Sequence, residues 1–138
     1  MTKQEIFDFI TKNPICALAT LDGDQPRARM ILMYRADEDG IVFITGENKD
    51  LYKQLSSNPN IEMCFYSQKE NKQTRISGVA EELDDIELKK QVVHDWPFLK
   101  EWVDREGYDV LVMYCLKNGK ATVWTMDVNF KPKEYIQL

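Results

Sequence analysis

The sequence contains little histidine, cysteine, glycine or proline. Its 138 residues include one histidine, three cysteines, six glycines and five prolines. The cysteines, Cys16, Cys64 and Cys115, show no CxxC spacing, so no structural zinc site is indicated. An odd number of thiols within apolar segments predicts reduced, buried cysteines in a cytoplasmic protein. His94, on a predicted helix, has no serine or cysteine beside it that would form a nucleophile pair.

Long apolar runs and an excess of positive charge are also missing. No stretch approaches the roughly 18 apolar residues of a membrane span, and the N-terminus has no apolar signal-peptide core. A net charge of −5 would repel nucleic acid and anionic membranes, so we expect neither as a partner. The sequence has no GxGxxG and no GxxxxGK[ST] motif. We therefore expect any chemistry to come from a bound cofactor.

The sequence does have enough apolar residues, 43%, for a packed core. Short apolar segments bounded by turn residues predict strands at 15–21, 25–35, 41–45, 61–67, 73–83, 108–116 and 120–126. Helices are predicted after the capping box of Thr2 and Glu5, after Asn48, after Asp84 and from Pro97. This order predicts a mainly β fold, a six- to seven-stranded antiparallel barrel with helices, as one domain over 1–138.

Turn residues predict which strands are neighbours. Asp37 to Gly40 predicts a hairpin between strands 25–35 and 41–45. Asn118-Gly119 predicts another between the last two strands, because Asn-Gly suits a two-residue hairpin loop. Gly78 within a predicted strand indicates a bulge or a close approach of the backbone.

The stretch 26-PRARMILMYR-35 places three arginines in an apolar strand. Arg27, Arg29 and Arg35 fall on one face of a period-2 strand, together with Ile31 and Met33. In one interpretation the arginines lie at a sheet edge and extend into water. In the other, a guanidinium holds an anion, because its planar fork matches a phosphate or a carboxylate.

The predicted hairpin would bring Arg29 close to Thr45 and Lys49. A helix is predicted to begin there, and its free N–H groups would point to the same place. A guanidinium, a hydroxyl, an ammonium and a helix end together predict a phosphate site. The alternative is that Thr45 is a turn residue and Lys49 a solvated helix residue.

The same strand offers a place for a flat ring. Backbone groups of 30–33 could form hydrogen bonds to a planar heterocycle that lies along the strand, and Trp124 could stack on such a ring. A tryptophan on a strand is, however, more often part of a core.

The sequence resembles the pyridoxamine 5′-phosphate oxidase-like family of FMN-binding split barrels, in particular its short general stress or flavin-nucleotide-binding members. The resemblance lies in 15-ICALATLDGDQPRARMILM-33, 43-FITGENKDLYKQLSSNPNIEMCFY-66 and 73-QTRISGVAEELDD-85, in their order and spacing more than in an invariant motif. It implies a split barrel that forms a homodimer with FMN at the subunit interface.

The resemblance also implies roles for individual residues. Arg29 and Thr45 would contact the phosphate, and the backbone of Met30, Ile31 and Leu32 the isoalloxazine; the remaining implied contacts are Ile44, Lys49, Gln73 and Trp124. Trp124 would come from the partner chain. Asp50 and Leu51 occupy positions where the family often has an Arg-Lys pair, and Lys49 is the expected substitute. The C-terminal segment that completes the substrate site of true pyridoxamine phosphate oxidases is expected to be absent, so that activity is not expected.

Three functions are therefore open. The first is an FMN-dependent oxidoreductase that transfers a hydride between a reduced nicotinamide and a small electrophile. The second is a non-catalytic flavin-binding carrier or stress-response module. The third is a split barrel that binds haem or a deazaflavin, for which His94 is the only histidine that could hold haem iron.

Overall fold

Every strand pairing in the molecule is antiparallel. The computed structural model describes residues 1–138. In chain order the elements are α1 (Lys3–Lys12), β1 (Ile15–Asp22), β2 (Gln25–Leu32), β3 (Arg35–Asp37), β4 (Gly40–Gly46), α2 (Asp50–Ser57), β5 (Asn60–Ser67), β6 (Lys72–Leu83), α3 (Ile86–Asp95), α4 (Lys100–Glu106), β7 (Leu111–Leu116), β8 (Lys120–Trp124) and β9 (Ile136–Gln137). Short 3₁₀ turns lie at Pro97–Leu99, Tyr108–Val110 and Met126–Val128. The predicted mainly β fold with helices is confirmed.

The sheet curves around β6, which belongs to both of its halves. The strand order is β2-β1-β5-β6-β7-β4-β3, with β8 also on β6 and β9 on β8. Residues 73–77 of β6 pair with β8, and residues 80–83 pair with β7. Gly78 lies between the two segments, where a Cβ would be only 3.2 Å from the Leu116 side chain. Neither a bulge nor a close backbone approach forms at Gly78, which pairs regularly with Ile61 and is approached by a side chain. The arrangement is the predicted antiparallel split barrel.

The core fills the inside of this barrel and is closed at one end by α1. Ile6 and Ile10 of α1 are fully buried, as are Phe43 of β4 and Phe65 of β5. The predicted capping box begins α1: the Thr2 hydroxyl accepts from the Glu5 N–H at 3.1 Å, and the Glu5 carboxylate accepts from the Thr2 N–H at 2.6 Å. None of the helices has the length and apolar character that crossing a membrane requires.

The predicted hairpin between 25–35 and 41–45 forms only in part. The first of these strands breaks after Leu32, because β2 pairs along its whole length with β1, from Leu32 opposite Ile15 to Gln25 opposite Asp22. The chain then changes direction, and only β3 pairs with β4, with Arg35 opposite Val42. The prediction of one continuous arginine strand beside 41–45 was wrong, and nine strands form instead of six or seven.

The hairpin predicted at Asn118-Gly119 was also wrong. Asn118 does adopt the positive φ of 54° that such a turn favours. Yet β7 pairs with β4 on one side and β6 on the other, so it has no free edge left for β8. β8 pairs with the earlier part of β6 instead.

Two helices begin one residue later than predicted. Lys49, not Asn48, is the N-cap of α2, and no side chain caps that helix. Asp85, not Asp84, caps α3 and accepts from the Leu88 N–H at 3.1 Å. The N-terminus of α2 therefore has no side-chain acceptor at its cap.

The three thiols are predicted to react slowly. All are free, and burial raises the pKa of each; for Cys16, with a smaller contribution from Cys64, the pKa rises to about 12. Since only the thiolate is nucleophilic, Cys16 at pH 8 should hold about a thousandfold less thiolate than a cysteine with a pKa near 9, and its reactivity should rise with pH until about 12. Iodoacetamide labelling with mass spectrometry, in buffer and in urea, tests this. Equal labelling of Cys16 in both would contradict it.

Candidate functional site

Arg29 is held in place by groups from two other elements. Its guanidinium donates to the Leu18 carbonyl at 3.2 Å and to the Thr20 hydroxyl at 2.7 Å, both on β1, and to Gln54 Oε1 on α2. The Thr20 hydroxyl donates to the same Gln54 oxygen at 2.6 Å. Burial lowers the pKa of Arg29, and the Asp50 carboxylate opposes that shift. The guanidinium nevertheless stays protonated at neutral pH and is fixed in orientation.

Arg29 lines an open polar cleft of about 680 Å³ between β2 and α2. β2 contributes Arg27 and Arg29, and the helix contributes Asp50, Lys53, Gln54 and Ser57. These helix positions recur at intervals of three and four, so they form one face, opposite the buried Leu51 and Leu55. Sequence reasoning missed Thr20 and Gln54. The polar periodicity of α2 was the signal that could have indicated Gln54.

The cleft is suited to an anion with several acceptor oxygens. Three cationic side chains line it, Arg27, Arg29 and Lys53, against the carboxylates of Asp22 and Asp50. Arg27 is already paired with Asp22 at 3.3 Å and is half exposed. Arg29 has no carboxylate partner, and its five N–H donors exceed the three acceptors that it contacts. Arg29 therefore has donors left for a ligand.

Thr45 and Lys49 lie in the neighbouring cavity, not in the Arg29 cleft. Both line a pocket of about 260 Å³ together with Ile31, Leu32 and Ile44. The two cavities adjoin at the start of α2, because Lys49 lines one and Asp50 the other. Arg29 therefore lies in one cavity, and Thr45 and Lys49 lie in the adjoining one, instead of all three in a single site. The reason is that the hairpin from which a single site was predicted forms only between β3 and β4.

Met30 and Leu32 point to the opposite, outer face of the sheet. Opposed residues of antiparallel strands point to the same face. Leu32 pairs with Ile15. Cys16 pairs with Phe65, which puts Ile15 beside Tyr66. Tyr66 pairs with Gln73, and Gln73 with Trp124. The predicted contacts Leu32, Gln73 and Trp124 therefore share one row across the outer face.

The outer face is mostly apolar over β2, β1 and β5, with Glu62, opposite Ala19, as its charged residue. Its large side chains are unusually exposed: Met30 64%, Ile15 59%, Tyr66 48% and Leu32 41%. Scattered single apolar residues are ordinary on a surface, but a contiguous patch indicates a contact surface.

Gln73 and Trp124 are some strands away from Arg29. They line a separate cavity of about 270 Å³, together with Arg75 and Lys131. The Trp124 indole N–H donates to Asn129 Oδ1 at 2.9 Å. Within one chain the predicted site residues thus form two groups, one around β2 and one around the β6–β8 pair. His94 is exposed and lines none of these cavities.

A family model described as pyridoxamine 5′-phosphate oxidase matches residues 2–113 of this chain. Among curated proteins, the pyridoxine/pyridoxamine 5′-phosphate oxidase of Nostoc sp. is 39% identical over 71 residues, which is 51% of this chain and 33% of that protein. The chain thus matches only about a third of the length of that relative.

Solved structures establish the fold independently. A NimC/NimA family protein from Clostridium acetobutylicum superposes with a TM-score of 0.79 at 24% identity, covering 98% of this chain and 92% of that one. A pyridoxamine 5′-phosphate oxidase-related, FMN-binding protein from Nostoc punctiforme gives a TM-score of 0.69 at 16% identity, covering 96% and 88%. At these identities the likeness is one of fold.

Proposed function

The chain belongs to the pyridoxamine 5′-phosphate oxidase family, and from that premise we propose that it is an FMN-binding flavoprotein of the cytoplasm that works as an oxidoreductase. The single observation that carries the proposal is the Arg29 guanidinium, fixed by Thr20 and Gln54 beside an open cationic cleft. An arginine held in this way matches a phosphate group in shape and charge.

The residues around β2 fit a phosphorylated flavin. Arg29 would bind the phosphate, and Lys49 and Thr45 lie at the uncapped start of α2, where backbone N–H groups favour an anion. The backbone of Met30, Ile31 and Leu32 runs along an edge strand. We propose that this backbone meets the flavin ring, with Ile44 beside it.

A second copy of the chain would complete the site. Met30 and Leu32 share the exposed apolar outer face with Gln73 and Trp124. Two copies that pack these faces against each other place Gln73 and Trp124 of the partner subunit near β2. We propose a homodimer with FMN at the interface, in which covering the apolar patch supplies the driving force.

The chain itself binds and orients, and the cofactor supplies the reaction. When bound, a flavin supplies hydride transfer from a reduced nicotinamide to a small electrophile. Arg29 and Lys49 would bind the phosphate end of the flavin, so that its ring lies along the edge strand β2. A non-catalytic flavin carrier would use the same residues. Haem is disfavoured because His94 lies outside every cavity described above.

An absorption spectrum tests the proposal. The purified protein is mixed with FMN, desalted, and then treated with NADH or NADPH without oxygen. We expect the flavin bands to remain after desalting and to bleach with the nucleotide. Retained bands that neither nucleotide bleaches would favour the carrier, and a protein that retains no flavin would contradict the proposal.

A further inference from the structure

Two charged side chains interrupt the outer face of the sheet. Cys64 lies on this face, because it is opposite Ala17, which in turn is opposite Met30. Arg75 is opposite Cys64 and therefore shares the face. Glu62 shares it as well, since it lies two residues before Cys64 on β5. On β2, β1, β5 and residues 73–79 of β6, every other residue of this face is uncharged.

Neither charged side chain has an ionic partner within the chain. Arg75 and Glu62 are both partly buried, yet no ion pair includes either of them. They are diagonal neighbours on adjacent strands, because Glu62 is opposite Ser77, and long side chains at such positions can reach each other. Glu134, which lines a cavity together with Arg75, does not pair with it either. Both charges are therefore free to bind another group.

The two charged groups lie close to the same thiol. Burial raises the pKa of Cys64 most, the Arg75 guanidinium lowers it, and the Glu62 carboxylate raises it. Such effects weaken with distance, so both charged groups are near the Cys64 side chain. A cation and an anion thus lie side by side on the face that the proposed homodimer covers.

Covering this face without pairing the two charges would oppose association. An ion that loses its hydration without gaining a partner strongly destabilises an interface. Complementary charges across the interface remove that penalty and also select the partner. In a two-fold dimer the same patch meets itself, so the patch must be complementary to itself. A patch that carries one cation beside one anion meets this requirement, whereas a patch of a single sign does not.

We propose that Arg75 of each subunit forms an ion pair with Glu62 of the partner subunit, so that two equivalent ion pairs cross the interface. The partner that fits the outer face is then a second copy of this chain. The inference rests on the proposed function for the homodimer alone and does not require bound flavin. The apolar side chains supply the driving force, and the ion pairs fix the register in which the two faces meet.

Charge reversal at the two positions tests the inference. Arg75→Glu makes both groups acidic and Glu62→Arg makes both basic, so each variant repels its own copy. We expect each to raise the dimer dissociation constant at least a hundredfold, measured by sedimentation velocity over a concentration series. Circular dichroism and thermal melting establish that the variants fold. Single variants that dimerise as tightly as the wild type overturn the proposal.

Mixing the two variants distinguishes pairing between subunits from pairing within one chain. In a mixed dimer both cross-subunit pairs are restored with their signs exchanged, whereas each chain alone still carries two like charges. We expect fluorescently labelled Glu62→Arg to form a mixed dimer with Arg75→Glu, with a dissociation constant within about tenfold of the wild-type value. A mixture that stays monomeric overturns the proposal.

Lys120→Glu is the matched control for the mixing experiment. Lys120 lies on the same outer face, opposite Ser77, and its ammonium lies 4.6 Å from the centre of the Tyr135 ring. The substitution changes the charge by the same amount as Arg75→Glu does. We expect it to leave labelled Glu62→Arg monomeric. Equal rescue by Lys120→Glu overturns the proposal, because a general attraction between opposite charges would then be sufficient.

The outcomes separate this inference from the proposed function. A wild-type protein that is dimeric and unaffected by either reversal keeps the proposed homodimer and excludes the ion pairs. A protein that retains no FMN but forms the mixed dimer contradicts the proposed flavin site and keeps the ion pairs. A monomeric wild-type protein contradicts both the homodimer and the ion pairs.

Discussion

Arg29→Ala is expected to weaken FMN binding by roughly 30- to 1,000-fold, enough to lose the flavin on desalting. The range corresponds to about 2–4 kcal/mol, the loss expected when the charge-assisted hydrogen bonds to one phosphate are removed. Fluorescence titration of FMN measures it directly. Arg29→Lys should recover only part of the affinity, because an ammonium keeps the charge but not the two-pronged geometry.

Arg27→Ala is the matched control for Arg29. Arg27 lies two residues earlier on the same strand face and lines the same cleft, but it is exposed and paired with Asp22. Exposed ion pairs contribute little, so its removal should change FMN affinity less than threefold. Circular dichroism and thermal melting establish that Arg29→Ala still folds after losing its contacts to Thr20 and Gln54. A folded Arg29→Ala protein with full FMN affinity would refute the phosphate assignment.

Met30→Lys is expected to convert the proposed dimer to a monomer and to abolish FMN retention at the same time. The substitution puts a charge in the middle of the apolar outer face, where dimerisation would bury it without a partner. A penalty of several kcal/mol raises the dimer dissociation constant by about a hundredfold or more. Flavin is lost as well, because Gln73 and Trp124 would no longer arrive from the partner subunit.

Sedimentation velocity measures the oligomeric state over a range of protein concentrations. Ile86→Lys serves as the control, since Ile86 is also exposed, at 47%, but lies at the start of α3 and off the outer face. It should remain dimeric and keep its flavin. A wild-type protein that is monomeric and still retains FMN would contradict both the proposed homodimer and the proposed contacts of the partner subunit to FMN.

Local signals in the sequence were sufficient for the elements themselves. The Thr2 and Glu5 capping box and the strand from Ile15 each depend on residues only a few positions apart. Such features are determined by residues that are close together in the sequence, so they can be predicted from it.

Pairing between distant strands was not accessible in this way. β4 pairs with β7, about seventy residues later, and because β7 also pairs with β6 it has no edge left for β8, its expected neighbour. Which strands pair depends on how the whole barrel closes, and no single turn residue indicates that. The consequence for the site is direct: Arg29 contacts Thr20 and Gln54, while Thr45 and Lys49 line the next cavity.

Trp96, Phe98 and Trp102, which line the Thr45 pocket, were visible in the sequence only as apolar helix residues. Trp96 continues the helical spacing of Val92 in one predicted helix, and Trp102 follows Phe98 at the spacing of a buried face in the next. What distinguishes them is that they remain partly or largely exposed in the folded chain, and exposure is decided by tertiary packing.

The segment that carries Trp96, Phe98 and Trp102 leaves and rejoins the barrel at one place. Leu83, the last residue of β6, is paired with Met113 of β7, so the ends of the excursion through α3 and α4 lie side by side. Mutations or insertions between them can change the shape of the Thr45 pocket without altering any strand register. In evolution that pocket can therefore diversify while the Arg29 cleft stays as it is, so the same barrel can be adapted to different small molecules.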